Sequence, residues 1–143
     1  KLLAYKDTDI SKITDTDLIK CINHNNMCIP QLIKMIHLDP QKPENHNIYI
    51  SNLKNGYIML YDGKKWNTLN RDDTIINLID EKQNIIEEKI EDWVTKGKEY
   101  PELKKKFKRY LEKKENNEDL NKIKEEIKLM LYNYRNVIEN EDN

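Results

Sequence analysis

The spacing of apolar residues changes along the chain and predicts the order of its helices and strands. Leu18, Ile19 and Ile22 recur at helical spacing. They follow Thr14-Asp15-Thr16-Asp17, in which Thr14 and Asp17 can form a capping box. A second helix is expected with Pro30 as its first residue, because proline has no amide hydrogen to leave unpaired there. Its predicted apolar face consists of Leu32, Ile33, Met35 and Ile36.

A strand-like alternation follows, with Ile48 and Ile50 expected on one side of a strand. Asn55-Gly56 predicts a tight hairpin turn, since both central positions of that turn need a positive φ. Asp62-Gly63 predicts a second turn before a strand that begins at Trp66. We therefore expect a three-stranded antiparallel meander. Its core is predicted to contain Ile48, Ile50, Ile58, Leu60 and Trp66.

Helical spacing returns at Asp72 and continues to Trp93, which predicts one long helix closed by Gly97. A further helix is expected to start at Pro101, and the last at the cap Asn116-Asn117. The apolar stripe of the last helix alternates steps of three and four, as in a coiled-coil seam. A seam of about three heptads needs a neighbour, within the chain or on a second copy. The predicted oligomer interface is Leu120, Ile123, Ile127, Met130, Tyr134 and Val137.

These elements predict an α+β fold. It has two amino-terminal helices, a three-stranded antiparallel β-meander, a long helix, and a carboxy-terminal helical hairpin or coiled-coil-like arm. We divide the chain into an α+β domain at 1–97 and a helical extension at 98–143, packed on the same domain or on a second subunit. The short sheet has two edges, which the carboxy-terminal helices are expected to cover.

Charge is unevenly distributed, although the net charge of the 143 residues is only -1. The stretch 72–92 is acidic and the stretch 104–114 is basic. A positive field along a helix attracts phosphate backbones without reading their sequence. An ordinary charged helix face is the alternative, because Glu112 and Glu115 can neutralise part of the charge. The candidate nucleic-acid-binding residues are Lys104, Lys105, Lys106, Lys108, Arg109, Lys113 and Lys114.

The sequence offers two weak candidates for a metal or catalytic site. Cys21, His24 and Cys28 lie close together, but their spacing does not match a common zinc finger, so buried thiols and a surface histidine are expected. His46, between Asn45 and Asn47, lacks the second histidine and the acidic cluster of a metal-dependent nuclease. Its ring is expected to bind a backbone group. We predict no catalytic residue, no metal and no cofactor, and therefore no enzyme.

Other features of the sequence bear on membrane association, on disulfide bonds and on the length of the full protein. No apolar run approaches the roughly 20 residues that span a bilayer, so no membrane partner is expected. Two cysteines without an apolar leader argue against a secreted disulfide scaffold. The chain starts at Lys1 and not at Met, so we expect it to be a piece of a longer protein.

The middle of the chain, roughly residues 27 to 95, contains the strings Ile36-His37-Leu38, Pro43-Glu44-Asn45-His46-Asn47-Ile48-Tyr49-Ile50, Tyr61-Asp62-Gly63-Lys64-Lys65-Trp66 and the acidic helix through Trp93. With these strings it resembles a carboxy-terminal segment found in many paralogous proteins of mimivirus-like giant DNA viruses. In that family the segment often follows a zinc finger or a KilA-N/BRO-like DNA-binding module, commonly with coiled coil between.

The resemblance implies the partner domain of a viral DNA-binding or regulatory protein, located in the viral factory of the host cytoplasm or in the virion. It carries no catalytic motif onto this chain. The leading hypothesis is therefore a non-enzymatic interaction module that forms a homo-oligomer, expected to be a dimer. The alternative is direct nucleic-acid binding through the helix at 104–114. A metal-dependent nuclease centred on His24 or His46 is the weaker alternative.

Overall fold

The computed structural model describes residues 1–98 and 100–141, and confirms the predicted α+β class. Three 3-10 turns lie at Tyr5–Asp7, Asn25–Met27 and Pro43–Asn45. The helices are α1 (Asp15–Asn23), α2 (Cys28–His37), α3 (Arg71–Thr95), α4 (Pro101–Lys114), α5 (Asn117–Asn133) and α6 (Arg135–Glu141). The strands are β1 (Ile48–Tyr49), β2 (Tyr57–Tyr61) and β3 (Trp66–Asn70).

A capping box fixes the start of α1, whereas α2 starts without a side-chain cap and earlier than expected. The predicted capping box of α1 is present: the Asp17 backbone N–H donates to Thr14 Oγ1 at 3.1 Å, and the Thr14 N–H donates to Asp17 Oδ2 at 3.0 Å. Helix α2 begins at Cys28, so the prediction that Pro30 is its first residue is wrong. Pro30 still lies in the first turn, where backbone N–H groups need no intrahelical acceptor.

The three strands form an antiparallel sheet in the order β1-β2-β3, as predicted. Ile48 pairs with Leu60, and Ile58 pairs with Leu69. This register leaves residues 50–56 as a loop, so the predicted Asn55-Gly56 hairpin turn is wrong. Neither residue has a positive φ; the loop is held instead by side-chain turns in which the Lys54 and Tyr57 N–H groups donate to Asn52 Oδ1 and Asn55 Oδ1.

The Asp62-Gly63 turn between β2 and β3 is confirmed. Gly63 has φ +101°, a value that glycine adopts without steric cost. The Asp62 carboxylate accepts hydrogen bonds from the backbone N–H groups of Lys64 at 2.8 Å and Lys65 at 2.9 Å. These bonds close the turn and set the register of the two strands that flank it.

Helix α3 has a well-defined beginning and end. The Asn70 side chain accepts a hydrogen bond from the Asp73 N–H at 3.0 Å at its start. At its end Gly97, with φ +71°, completes a Schellman motif: the Lys98 N–H donates to Trp93 O at 2.8 Å and the Gly97 N–H to Val94 O at 3.1 Å. The reversal returns the chain so that α4 runs antiparallel to α3.

The predicted last helix is interrupted. Helix α5 ends at Asn133, and α6 starts at Arg135, so the expected stripe from Leu120 to Val137 does not lie on one helix. The Arg135 guanidinium donates to Tyr132 O at 2.8 Å and lies 3.7 Å from the centre of the Tyr132 ring. A carbonyl at the end of α5 is thus satisfied by a side chain, which stabilises the end of the helix there.

One hydrophobic core contains side chains from both sides of the predicted division at residue 97. Helix α2 supplies much of it and contacts α1, α3 and α5. Ile86 of α3, Phe107 of α4 and Ile127 of α5 belong to the same cluster. The free edge of β1 is covered as expected, since the Ile50 N–H donates to Leu131 O at 3.2 Å. The helices after residue 100 therefore pack on the same core within one chain.

Candidate interaction surfaces

The most distinctive string of the sequence, residues 43–50, holds the amino-terminal segment against the sheet. The Asp9 N–H donates to Asn45 Oδ1 at 2.9 Å, and Asn45 Nδ2 donates to Asp9 O at 2.7 Å. Asn47 Nδ2 donates to Thr8 Oγ1 at 3.1 Å and to Leu3 O at 3.3 Å. Both asparagines are buried. Their role in the described structure is to satisfy backbone groups that the fold buries.

Beneath this segment lies a polar cluster that sequence reasoning missed. The His37 ring stacks on Tyr5 with centroids 5.3 Å apart. His37 Nδ1 lies 3.1 Å from Asn45 O and 3.0 Å from Asn47 Oδ1, two acceptors that place the ring proton on Nδ1. His37 Nε2 is buried without a hydrogen-bond partner. Burial holds the pKa of His37 well below its usual value, and the nearby Lys82 ammonium lowers it further.

Lys82 is buried to 1% exposure at the edge of the same cluster. Its ammonium donates to Glu81 Oε1 at 2.9 Å and to the Tyr5 hydroxyl at 3.4 Å, and the Tyr5 hydroxyl donates to the same carboxylate oxygen at 3.0 Å. Burial lowers the pKa of Lys82, an effect that the Glu81 carboxylate opposes. The hydrogen bonds and ring contacts of this cluster join the amino-terminal segment to α2 and α3.

The candidate zinc and nuclease residues differ in burial and in their contacts. Cys21 and Cys28 are buried, and burial raises the pKa of each thiol to about 12, whereas His24 is exposed. His46 Nε2 lies 2.8 Å from Asp39 O, which confirms the expected backbone contact. Within residues 1–98 and 100–141, no group of three or more His, Cys, Asp or Glu side chains is placed to bind a metal ion.

The seven basic residues of α4 point in several directions. Lys106 Nζ donates to Asn23 Oδ1 at 2.8 Å, and Lys114 lies 3.9 Å from Asp80 Oδ1. Lys104 and Lys108, one turn apart, line a groove against α3. Lys105, Arg109 and Lys113 are exposed, as are Lys104 and Lys108. Five of the seven predicted nucleic-acid-binding residues are therefore open to solvent, while Lys106 and Lys114 are half-buried and contact other parts of the chain.

The predicted oligomer seam packs mainly within the chain. Ile123 and Ile127 are buried in the core. Leu120, Met130 and Tyr134 are half-buried and pack against it. Val137, on α6, is exposed. The neighbour that this stripe required is the rest of the same chain, so the side chains at its centre are not available to a second copy.

An exposed apolar groove lies elsewhere, between α3 and α4. The two helices are antiparallel, since Tyr110 Oη donates to Gln83 Oε1 at 2.7 Å, while the Trp93 and Tyr100 rings meet 5.0 Å apart. Their separation leaves two adjoining cavities of about 620 and 250 Å³. Both are lined by Ile90, Val94 and Lys104, so they form one continuous groove.

The groove has an apolar floor and two rims of opposite charge. Val94 is 56% exposed and Tyr100 is 38% exposed, high values for apolar and aromatic side chains. The remaining floor and wall residues include Ile90, Leu103, Phe107 and Leu111. Glu87 and Glu91 form the rim on α3, and Lys104 and Lys108 form the rim on α4. We call this feature the α3–α4 groove.

Sequence reasoning missed the groove because it depends on the distance between two helices. The available signal was Val94, an apolar residue beside Trp93 that the predicted buried stripe of α3 does not use. A second signal was the repeat of charge at four-residue spacing, acidic at Glu87 and Glu91 and basic at Lys104 and Lys108. Neither reveals that the two rows face one another across a gap.

Comparisons with protein-family models, curated proteins and solved structures found no match to this chain. None of the helices in residues 1–98 and 100–141 contains an apolar stretch that could span a lipid bilayer.

Proposed function

We propose that this chain is a non-enzymatic interaction module that forms a homodimer through the α3–α4 groove. The observation that carries the proposal is the apolar floor at Val94 and Tyr100, exposed between an acidic and a basic rim. Apolar patches bordered by charged residues are typical of protein–protein contacts. The proposal replaces the seam on α5, whose central residues are buried in the chain's own core.

A second copy of the chain fits the charges of this groove. If the two-fold axis runs parallel to the helices, α3 of one copy faces α4 of the other, so Glu87 and Glu91 meet Lys104 and Lys108 twice. A two-fold axis across the helices would place like charges together, which is unfavourable. Charge complementarity therefore selects one arrangement, a bundle of four helices with Val94 near its centre.

The resemblance to giant-virus paralogues supports a setting for this dimer. In that setting the module would pair two copies of a DNA-binding or regulatory protein, in the viral factory or the virion. Two linked DNA-binding modules bind more tightly than one, because the second contact becomes intramolecular. This provides a reason for a domain without catalytic groups to accompany a DNA-binding module.

Light scattering and sedimentation equilibrium over a wide concentration range test the proposal. The wild-type chain is expected to approach twice the monomer mass as its concentration rises. Val94→Asp is expected to remain monomeric, because it places a carboxylate in the apolar floor. The matched control is Ile76→Asp, which alters an equally apolar residue of α3 that is 40% exposed but does not line the groove. The control is expected to dimerise like the wild type.

Charge exchange tests whether the charges of the two rims contribute to the dimer. A variant with Glu87→Lys and Glu91→Lys, and a second with Lys104→Glu and Lys108→Glu, should each be monomeric because like charges then face one another. An equimolar mixture of the two should form a heterodimer, since opposite charges meet at both contacts. A wild-type chain that is monomeric at every concentration, or a mixture that does not associate, would contradict the proposal.

A further inference from the structure

The sheet carries aromatic side chains on the side opposite to Ile48 and Ile58, and two of them, Tyr49 and Trp66, also pack against the core. Strand pairing places Tyr49 beside Met59, Tyr61 beside Trp66, and Tyr57 beside Asn70. Because side chains alternate along a strand, these residues share the side opposite to Ile48 and Ile58, which are fully buried. The members of this outer sheet face are Tyr49, Tyr57, Met59, Tyr61, Trp66, Thr68 and Asn70. None of them carries a carboxylate.

The rings on this face are close to one another and partly open to solvent. Trp66 lies 4.9 Å from Tyr49 and 5.4 Å from Tyr61, measured between ring centroids. Tyr57, at the start of β2, is 55% exposed. Partly exposed rings on a sheet present flat surfaces on which unpaired bases can stack.

Basic side chains lie at both ends of this face. Lys64 and Lys65 are exposed in the turn beside Tyr61 and Trp66. Lys54 and Arg71 lie at the opposite end, where the Arg71 N–H donates to Gly56 O at 2.8 Å and the exposed Asp72 and Asp73 follow in the first turn of α3. The turn between β2 and β3 is therefore the more basic end, and residues 51–71 contain four cations and one carboxylate. That carboxylate, Asp62, is occupied by hydrogen bonds within its own turn.

We propose that the outer sheet face binds single-stranded nucleic acid, with bases stacked on Tyr57, Tyr61 and Trp66 and phosphates held by the lysines at its two ends. A five-residue strand is about 17 Å long, enough for two or three nucleotides. Duplexes should bind more weakly, because their bases are already paired and stacked within the helix. This site is distinct from the basic helix α4 and does not depend on the dimer.

Fluorescence anisotropy with labelled oligothymidylate, oligouridylate and a duplex of equal length tests the proposal. Either or both single strands are expected to bind at low salt, and the duplex more weakly; the two single strands separate DNA from RNA as the ligand. Binding should also quench the fluorescence of Trp66, which lies on this face. Trp93 is buried in the core and supplies an unchanged background.

The variants separate stacking from general charge. Tyr57→Ala should weaken binding about tenfold, while Tyr57→Phe, which keeps the ring, should bind like the wild type. The matched control is Tyr100→Ala, which removes an exposed tyrosine of the α3–α4 groove and should leave the affinity unchanged. Replacing Lys64 and Lys65 together by Ser should reduce the slope of log affinity against log salt by about 1.4.

Four results would overturn the proposal. The first is absence of binding to both single strands at low salt, and the second is equal affinity for the duplex. The third is loss of binding with Lys105→Glu and Arg109→Glu but not with Tyr57→Ala, which would assign the site to α4. The fourth is a Tyr57→Ala variant that changes the mass of the protein in solution and not its affinity for oligonucleotides, which would identify the face as a protein contact.

Discussion

Tyr5 and His37 stack with their ring centroids 5.3 Å apart and their planes 11° from parallel. This contact joins the amino-terminal segment to the end of α2. His37 must remain uncharged in this position, because its Nε2 is buried without a partner and the Lys82 ammonium is near.

The buried His37 predicts that stability falls in mild acid. Its pKa is lowered in the folded chain, so below about pH 6.5, where an unfolded histidine gains a proton, the unfolded state binds more protons than the folded one. The free energy of unfolding should therefore decrease as the pH falls, by up to about 1.4 kcal/mol for each pH unit from this group. Urea denaturation between pH 5 and pH 7.5 measures the slope.

The matched variants for this experiment are His37→Gln and His24→Gln. Replacing His37 should remove its share of the pH dependence, although it lowers stability at every pH. Replacing His24, which is exposed, should leave the slope unchanged. An unchanged slope in His37→Gln would show that other groups cause the effect.

Asn45 predicts a second effect on stability. Asn45→Ala should lower the free energy of unfolding by about 1–3 kcal/mol, because it leaves the Asp9 N–H and C=O without partners. The amino-terminal segment should then become susceptible to limited proteolysis. Asn52→Ala, in the exposed loop before β2, is the control and should change stability much less. Equal protease resistance in both variants would show that Asn45 does not hold the amino-terminal segment in place.

Substitutions at Gly97 and Gly56 test the backbone conformations that the structure shows at these two positions. Gly97→Ala should lower the free energy of unfolding by about 1 kcal/mol, because alanine is strained at the positive φ of Gly97. A Cβ at this position would meet no atom within 4 Å, so no steric clash adds to that cost. Gly56→Ala should be nearly neutral, because Gly56 lacks a positive φ and also lies in open space. A large loss for Gly56→Ala would restore the hairpin turn expected from the sequence. Thermal denaturation of both variants decides the matter.

Ile127 tests where the stripe of α5 belongs. Ile127→Ala should destabilise the monomer by about 2–5 kcal/mol, because it creates a cavity in the core. The destabilisation should be independent of protein concentration, since the side chain is buried within one chain. A loss that disappears at high protein concentration would instead place Ile127 in a contact between copies.

The sequence predicted those elements whose signals are local. The capping box at Thr14, the cap at Asn116 and the start at Pro101 all depend on residues within one helical turn. The alternation from Ile48 to Ser51 likewise identified Ile48 and Ile50 as buried, because period-two spacing records the burial of one face, whereas it did not predict that Asn47 on the other side is also buried.

The failures arose where distant residues decide the outcome. Asn55-Gly56 can form a hairpin turn, but the pairing of Ile48 with Leu60 places it within a longer loop. Helical spacing in α5 predicted a buried stripe without specifying its neighbour. The α3–α4 groove and the polar cluster at His37 arise from separations between elements, which no local pattern records. Of the candidate interaction residues, only Lys104 and Lys108 line the groove.

The hydrogen bond from Ile50 to Leu131 also bears on how the chain folds during synthesis. The edge of β1 stays uncovered until α5 has left the ribosome, which happens much later than the synthesis of the strand. Until then the strand presents an open backbone to other nascent chains. Chaperone binding should therefore be strongest while translation proceeds between these two residues, and should cease once α5 has emerged.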